Sequence, residues 1–181
     1  MQLPFGEWLP DQPDNLNPGA TVATNVYHAQ TSYKPVKGLV PYSGASNVTQ
    51  NAKGAGSFRD NTNTVFTFVG TKDNIYKLTS GTFTSVKGSL TISGTDTDFF
   101  TFTQFGQYII ASNGVNAPMY YLMGTSTNFA TLQSIATAGT VPAKFRVSGV
   151  IRDFLVTGNL ENAKNKIAWS GINDISTWEA G

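Results

Sequence analysis

The chain has 181 residues, a formal net charge of +1, no cysteine and a single histidine, and only 13 % of its residues are charged. That length is enough for one sizeable core, or one core with an arm. The charge argues against a broad basic surface, so nucleic-acid contact is not indicated, though it is not excluded. The absence of cysteine excludes a disulfide framework and thiolate metal sites.

Residues 1–50 read as an extended, irregular arm. Six of the chain's eight prolines fall here: Pro4, Pro10, Pro13, Pro18, Pro35 and Pro41. Proline removes a ladder donor and fixes φ, so the stretch is not expected to form a sheet. Leu39–Tyr42 is the one candidate edge strand. The arm also carries Leu3, Phe5, Trp8, Leu9 and Tyr27. Apolar side chains on an extended segment need a surface to cover them, and these five are the candidate partner-binding residues. The first residues lack a basic segment followed by an apolar one, so no secretory leader is expected. No apolar run approaches the ~18 residues of a membrane span.

Residues 51–181 read as β-meander throughout. Ser57–Asp60, Thr64–Gly70, Ile75–Leu78 and Thr82–Val86 make one set of short runs bounded by polar turns. Phe99–Thr103, Tyr108–Ser112, Pro118–Leu122 and Phe129–Leu132 make a second, with Asn113-Gly114 as a hairpin signal. Lys144–Ser148, Asp153–Asn159 and Lys166–Trp169 begin a third, and Ile172–Gly181 reads as a tail without a strand. Placing Val65, Ile109 and Leu155 in register gives steps of 109 − 65 = 44 and 155 − 109 = 46. A repeat of roughly 40–50 residues built from short strands is the pattern of a propeller blade. The expected class is therefore all-β, with antiparallel four-stranded meanders, propeller-like and possibly incomplete. Val65, Phe66, Phe68, Tyr108, Ile109, Ile110, Leu155 and Val156 are the expected core.

Chemistry is thinly represented. Asp60 and Asp153 each follow an arginine and read as Arg-Asp pairs in turns. Asp96-Thr97-Asp98 has the spacing of two calcium ligands but lacks the third acid and the glycine of a calcium loop. His28 stands alone. No enzyme activity, cofactor or metal is expected.

Two stretches carry a resemblance. Leu3–Asp11, followed by Asn17–Thr21, Asn25-Val26-Tyr27 and Tyr33-Lys34-Pro35, resembles the start of bacteriophage virion structural proteins. Lys166–Ser170 with Asn173–Trp178 resembles a blade motif of the tail-hub or packaged-DNA-stabilising proteins of short-tailed phages. The resemblance covers both ends and loosely the middle. It implies propeller-like subunits set in rings at the head-to-tail junction, located in the virion and acting through surfaces. It also implies a homo-oligomer whose partners are other virion proteins, tail or portal-proximal subunits. The alternative is a carbohydrate- or host-receptor-binding β module, in which Trp169, Trp178, Tyr120 and Tyr121 would stack on sugar rings.

Overall fold

A computed structural model describes residues 6–13, 15–29, 32–38 and 48–180. The chain is all-β, with fourteen strands in four antiparallel sheets and one 3₁₀ turn, Leu132–Ile135, among the described residues. It divides into two compact units, Met1–Tyr42 and Ser43–Gly181.

The first unit contains a hairpin of β1 (Val26–Ala29) and β2 (Ser32–Pro35), paired in register from Val26↔Pro35 to Ala29↔Ser32. This corrects the expectation that the proline-rich arm forms no sheet. A two-stranded hairpin leaves an outer edge on each strand, and Pro35 is the last residue of β2; the next amide, Val36, still donates to the Asn25 carbonyl at 2.8 Å, so the missing proline donor does not interrupt the pairing. The candidate strand Leu39–Tyr42 lies outside the described residues.

The second unit holds three meanders. Sheet I is β3 (Gly54–Arg59), β4 (Val65–Gly70), β5 (Ile75–Thr79) and β6 (Thr82–Ser85). Sheet II is β7 (Thr101–Phe105), β8 (Tyr108–Ser112), β9 (Met119–Leu122) and β10 (Ala130–Thr131). Sheet III is β11 (Phe145–Ile151), β12 (Phe154–Leu160), β13 (Ala163–Gly171) and β14 (Asp174–Ala180). Within each, strands pair in chain order. Tight turns allow this: Ser80-Gly81, with φ 48° and 82°, joins β5 to β6, and Gly106, at φ 58°, opens the β7–β8 turn. The Asn113-Gly114 hairpin joins β8 to β9 through a wider turn. Only Gly114 has positive φ there, and buried Asn113 accepts the amides of Val115 at 3.1 Å and Asn116 at 2.9 Å.

The sheets stack in chain order, with β3 beside β7 and β7 beside β11. Between I and II, Phe66, Phe68 and Ile75 meet Phe100, Ile109, Met119, Tyr121 and Phe129. Phe68 is the centre of this layer: its ring lies 5.0 Å from Tyr121 and 5.3 Å from Phe129, both edge-on. Gly54 and Gly70, paired across β3 and β4, leave room for Phe100. A Cβ on Gly54 would fall 2.2 Å from the Phe100 carbonyl, and one on Gly70 would fall 2.4 Å from its ring. Between II and III, Phe105, Ile110, Leu132 and Val141 meet Phe145, Leu155, Ile175 and Trp178. Hydroxyls tie the first strands together here. Thr101 donates to the Arg146 carbonyl at 3.0 Å, and Thr103 to the Ser148 carbonyl at 3.1 Å.

Two sequence expectations fail in sheet III and sheet I. The tail after Ile172 is a strand, β14. Its alternation is hidden because a bulge between Ser170 and Gly171 puts Ile175 and Trp178, three residues apart, into the same core. Val65 is 52 % exposed, and Tyr108 and Val156 are only half-buried, unlike the other five residues of the expected core. Pairing explains Val65: Ser57↔Thr67, Gln104↔Ile109 and Val150↔Leu155 are the matching rows, so Thr67 and not Val65 corresponds to Ile109. The β3–β4 connection runs from Asp60 to Thr64, against two-residue turns in sheets II and III, and this shifts the register by two.

Candidate functional site

Among the described residues there is no group of three or more His, Cys, Asp or Glu side chains placed to hold a metal. The acidic residues singled out in sequence serve turns and ion pairs. Asp60 caps its own turn, accepting from the Thr62 amide, the Thr62 hydroxyl and the Thr64 amide, each at 2.8 Å. Desolvation pushes its pKa up, but these three bonds hold it below the ordinary value. Asp60 is therefore a turn cap and not a partner of Arg59, correcting the Arg-Asp reading there. The carboxylates of the Asp96-Thr97-Asp98 stretch point to different cations: Asp96 pairs with Lys53 at 3.2 Å, and Asp98 with Arg146 at 2.9 Å. Asp98 also accepts from Thr95; the amide, then the hydroxyl, then Arg146 lower its pKa.

The aromatic set proposed for sugar stacking is dispersed. Trp178 is 4 % exposed and donates its indole N–H to the Ile175 carbonyl; Tyr121 is 2 % exposed. Tyr120 is half-buried beside Tyr108. Trp169 is half-buried and lines a shallow groove on sheet III.

In the arm, Leu3 and Phe5 lie outside the described residues. Trp8 is 56 % exposed, Tyr27 is 50 % exposed, and Leu9 is half-buried. The backbone carrying Trp8 is nonetheless pinned. The Leu9 amide donates to the Ala20 carbonyl, the Ala20 amide to Glu7, and the Asn17 side chain to the Leu9 carbonyl at 2.7 Å. Gly19 sits so close to this strand that a Cβ would fall 2.1 Å from the Glu7 carbonyl. The indole is thus presented on an ordered support.

The second surface lies on sheet III, away from the residues that stand out in sequence as partner-binding. Each meander has a face that looks towards the next sheet, and pairing defines its rows. In sheet I these are Phe58↔Phe66, Gly56↔Phe68↔Lys77 and Gly54↔Gly70↔Ile75. In sheet II they are Phe105↔Tyr108, Thr103↔Ile110↔Tyr120 and Thr101↔Ser112. In sheet III they are Ile151↔Phe154, Gly149↔Val156↔Trp169 and Val147↔Gly158↔Ile167. The faces of sheets I and II are covered by the following sheet. The face of sheet III is made of six apolar side chains and two glycines, and Val147, Ile151 and Ile167 are 53 %, 61 % and 55 % exposed. A shallow groove lies on it, lined by Ile151, Phe154, Val156 and Trp169. A contiguous apolar patch of this kind on a sheet face marks an interaction surface. The signal in the sequence was the alternation Val147, Gly149, Ile151, which a reading of β11 as simply another core strand does not single out.

A third feature is Lys77. Its ammonium sits 4.6 Å above the Phe66 ring and donates to the Tyr121 hydroxyl at 3.1 Å, beside a recess lined by Thr84, Ser126 and Asn128. Cation–π attraction and this bond hold it at the edge of the I–II layer. No helix among the described residues is long and apolar enough to cross a membrane. No family model matches the chain, and no curated protein matches it.

Proposed function

We propose that the chain is a structural subunit of a bacteriophage particle, set in the tail or at the head-to-tail junction, where it holds neighbouring subunits together. In this reading sheets I, II and III are successive blades of a propeller-like stack, and the first unit is a docking arm. The observation that carries it is the exposed Trp8 on hydrogen-bonded backbone, in a unit that also exposes Tyr27 on its hairpin. A large aromatic side chain held in water by ordered backbone gains most by insertion into a neighbour. Burying Trp8 in a partner is worth about 1.5–3 kcal/mol of transfer free energy before ordering costs. The low charge content and the open apolar face of sheet III fit a subunit whose surface is largely shared. The virion setting rests on the resemblance at both ends of the chain. The test is deletion of residues 1–30. The truncated protein should melt as the full chain does, yet fail to enter particles. A truncated protein that still enters them refutes the docking arm, and a full chain missing from purified particles refutes the virion role.

A further inference from the structure

We propose that the open face of sheet III receives sheet I of a second copy of this chain, so that copies extend one series of sheets head to tail. This rests on the assembly reading above but not on the arm.

The register carries the argument. The rows of the three forward-looking faces correspond: Phe68, Ile110 and Val156 hold the same place, with steps of 110 − 68 = 42 and 156 − 110 = 46. Phe68 and Ile110 are fully buried by the next sheet, whereas Val156 is only half-buried and its face-mates Val147, Ile151 and Ile167 are exposed. An interface made twice within the chain is therefore presented a third time without its cover. What covers this face in the other two cases is the backward-looking face of a following meander, laid down with its first strand beside the preceding first strand.

The chain itself carries one such backward face outside these two layers, that of sheet I. Its rows are Ala55↔Val69↔Tyr76 and Ser57↔Thr67, matching Phe102↔Ala111↔Met119 and Gln104↔Ile109↔Tyr121 of sheet II. Val69 and Tyr76 are already buried within the chain, so the contact falls on the β3 side of the sheet, where Ala55 and Ser57 are exposed, and on the exposed Val65 at the start of β4. The chemistry of the two faces agrees. In the II–III layer Thr101 and Thr103 donate to carbonyls of β11. Sheet III has Val147 and Gly149 in those places, which demand no acceptor, so small side chains such as Ala55 and Ser57 can pack directly against them. Ser57 and Thr67 already share one hydrogen bond at 2.8 Å, so one of the two hydroxyl protons would enter the contact with its partner in place. A contact between two different faces is heterologous: it closes into a ring where the rotation permits and otherwise runs on.

The experiment is sedimentation of the full chain over a concentration series. Mass should rise with concentration. Ile151→Lys and Ile167→Lys, both at exposed positions, should each weaken association at least ~10-fold while the melting curve stays unchanged. Val65→Lys, on the other face, should do the same. A mixture of Ile151→Lys and Val65→Lys copies should recover a dimer, because each keeps one intact face and the two are complementary. A chain that is monomeric throughout the series overturns the proposal. So does association that ignores Val65→Lys, because two sheet III faces would then be pairing with each other. Either failure leaves entry into particles through the arm to be judged separately by the deletion above.

Discussion

Ile110→Ala is the sharpest probe of the packing. Ile110 lies on β8, fully buried in the layer between sheets II and III with Phe145, Leu155 and Trp178. The substitution removes three carbons. At about 0.8 kcal/mol per buried methylene, the lost transfer energy is roughly 2.4 kcal/mol. The cavity adds to this, because neighbours drawn from two sheets cannot close on it fully, and the expected loss is about 3–4 kcal/mol. Val65→Ala is the control: two carbons at a site 52 % exposed, so a loss under about 1 kcal/mol. Equilibrium urea unfolding reads both as shifts in midpoint at constant slope. Working in dilute solution keeps association out of the comparison. A loss for Ile110→Ala below about 1 kcal/mol, or no larger than that for Val65→Ala, would mean that sheets II and III do not pack in this register.

Gly139→Ala should destabilise by roughly 2 kcal/mol or more in the same assay. Gly139 has φ +71°, and a Cβ there would fall 1.8 Å from the Trp178 carbonyl, against β14; a neutral result would remove β14 from its place. Ser112→Ala should be neutral or stabilise by about 1 kcal/mol, because the Ser112 hydroxyl is buried without a hydrogen-bond partner among the described residues; a clear loss would contradict that. Asp98→Asn should lower stability at neutral pH and flatten the acid limb of the stability curve. The Thr95 amide and hydroxyl and the Arg146 guanidinium depress the folded pKa of Asp98 below its ordinary 3.8. Its contribution is therefore complete above about pH 4 and is lost as the pH falls through the folded value. An acid limb that Asp98→Asn leaves unchanged would refute the assignment.

Much of the fold was legible because its meanders are regular. Runs such as Thr64–Gly70 and Tyr108–Ser112 are bounded by Gly, Asn and Asp and are rich in apolar and β-branched residues because both of their faces are buried. What was hidden follows from departures from that regularity. The five-residue β3–β4 connection moved the true counterpart of Ile109 from Val65 to Thr67, a polar residue that no hydrophobic register selects. The bulge at Ser170–Gly171 masked β14. The hairpin in the arm is masked by the density of prolines over the whole segment, whereas only Pro35 falls within the paired run. The candidate surfaces were half legible. Trp8 and Tyr27 stand out by residue type. The sheet III face does not, since Val147, Ile151 and Ile167 read like core residues until pairing shows what fails to cover them.

The most direct measurement of the central claim, that exposed apolar surfaces of this chain join subunits, is an image of the native particle at side-chain resolution. The account predicts protein density packed on Ile151, Val156 and Trp169 and around the Trp8 indole, with Phe68 and Ile110 enclosed within the chain's own layers. Particles that contain the chain with both surfaces bare to solvent would contradict it.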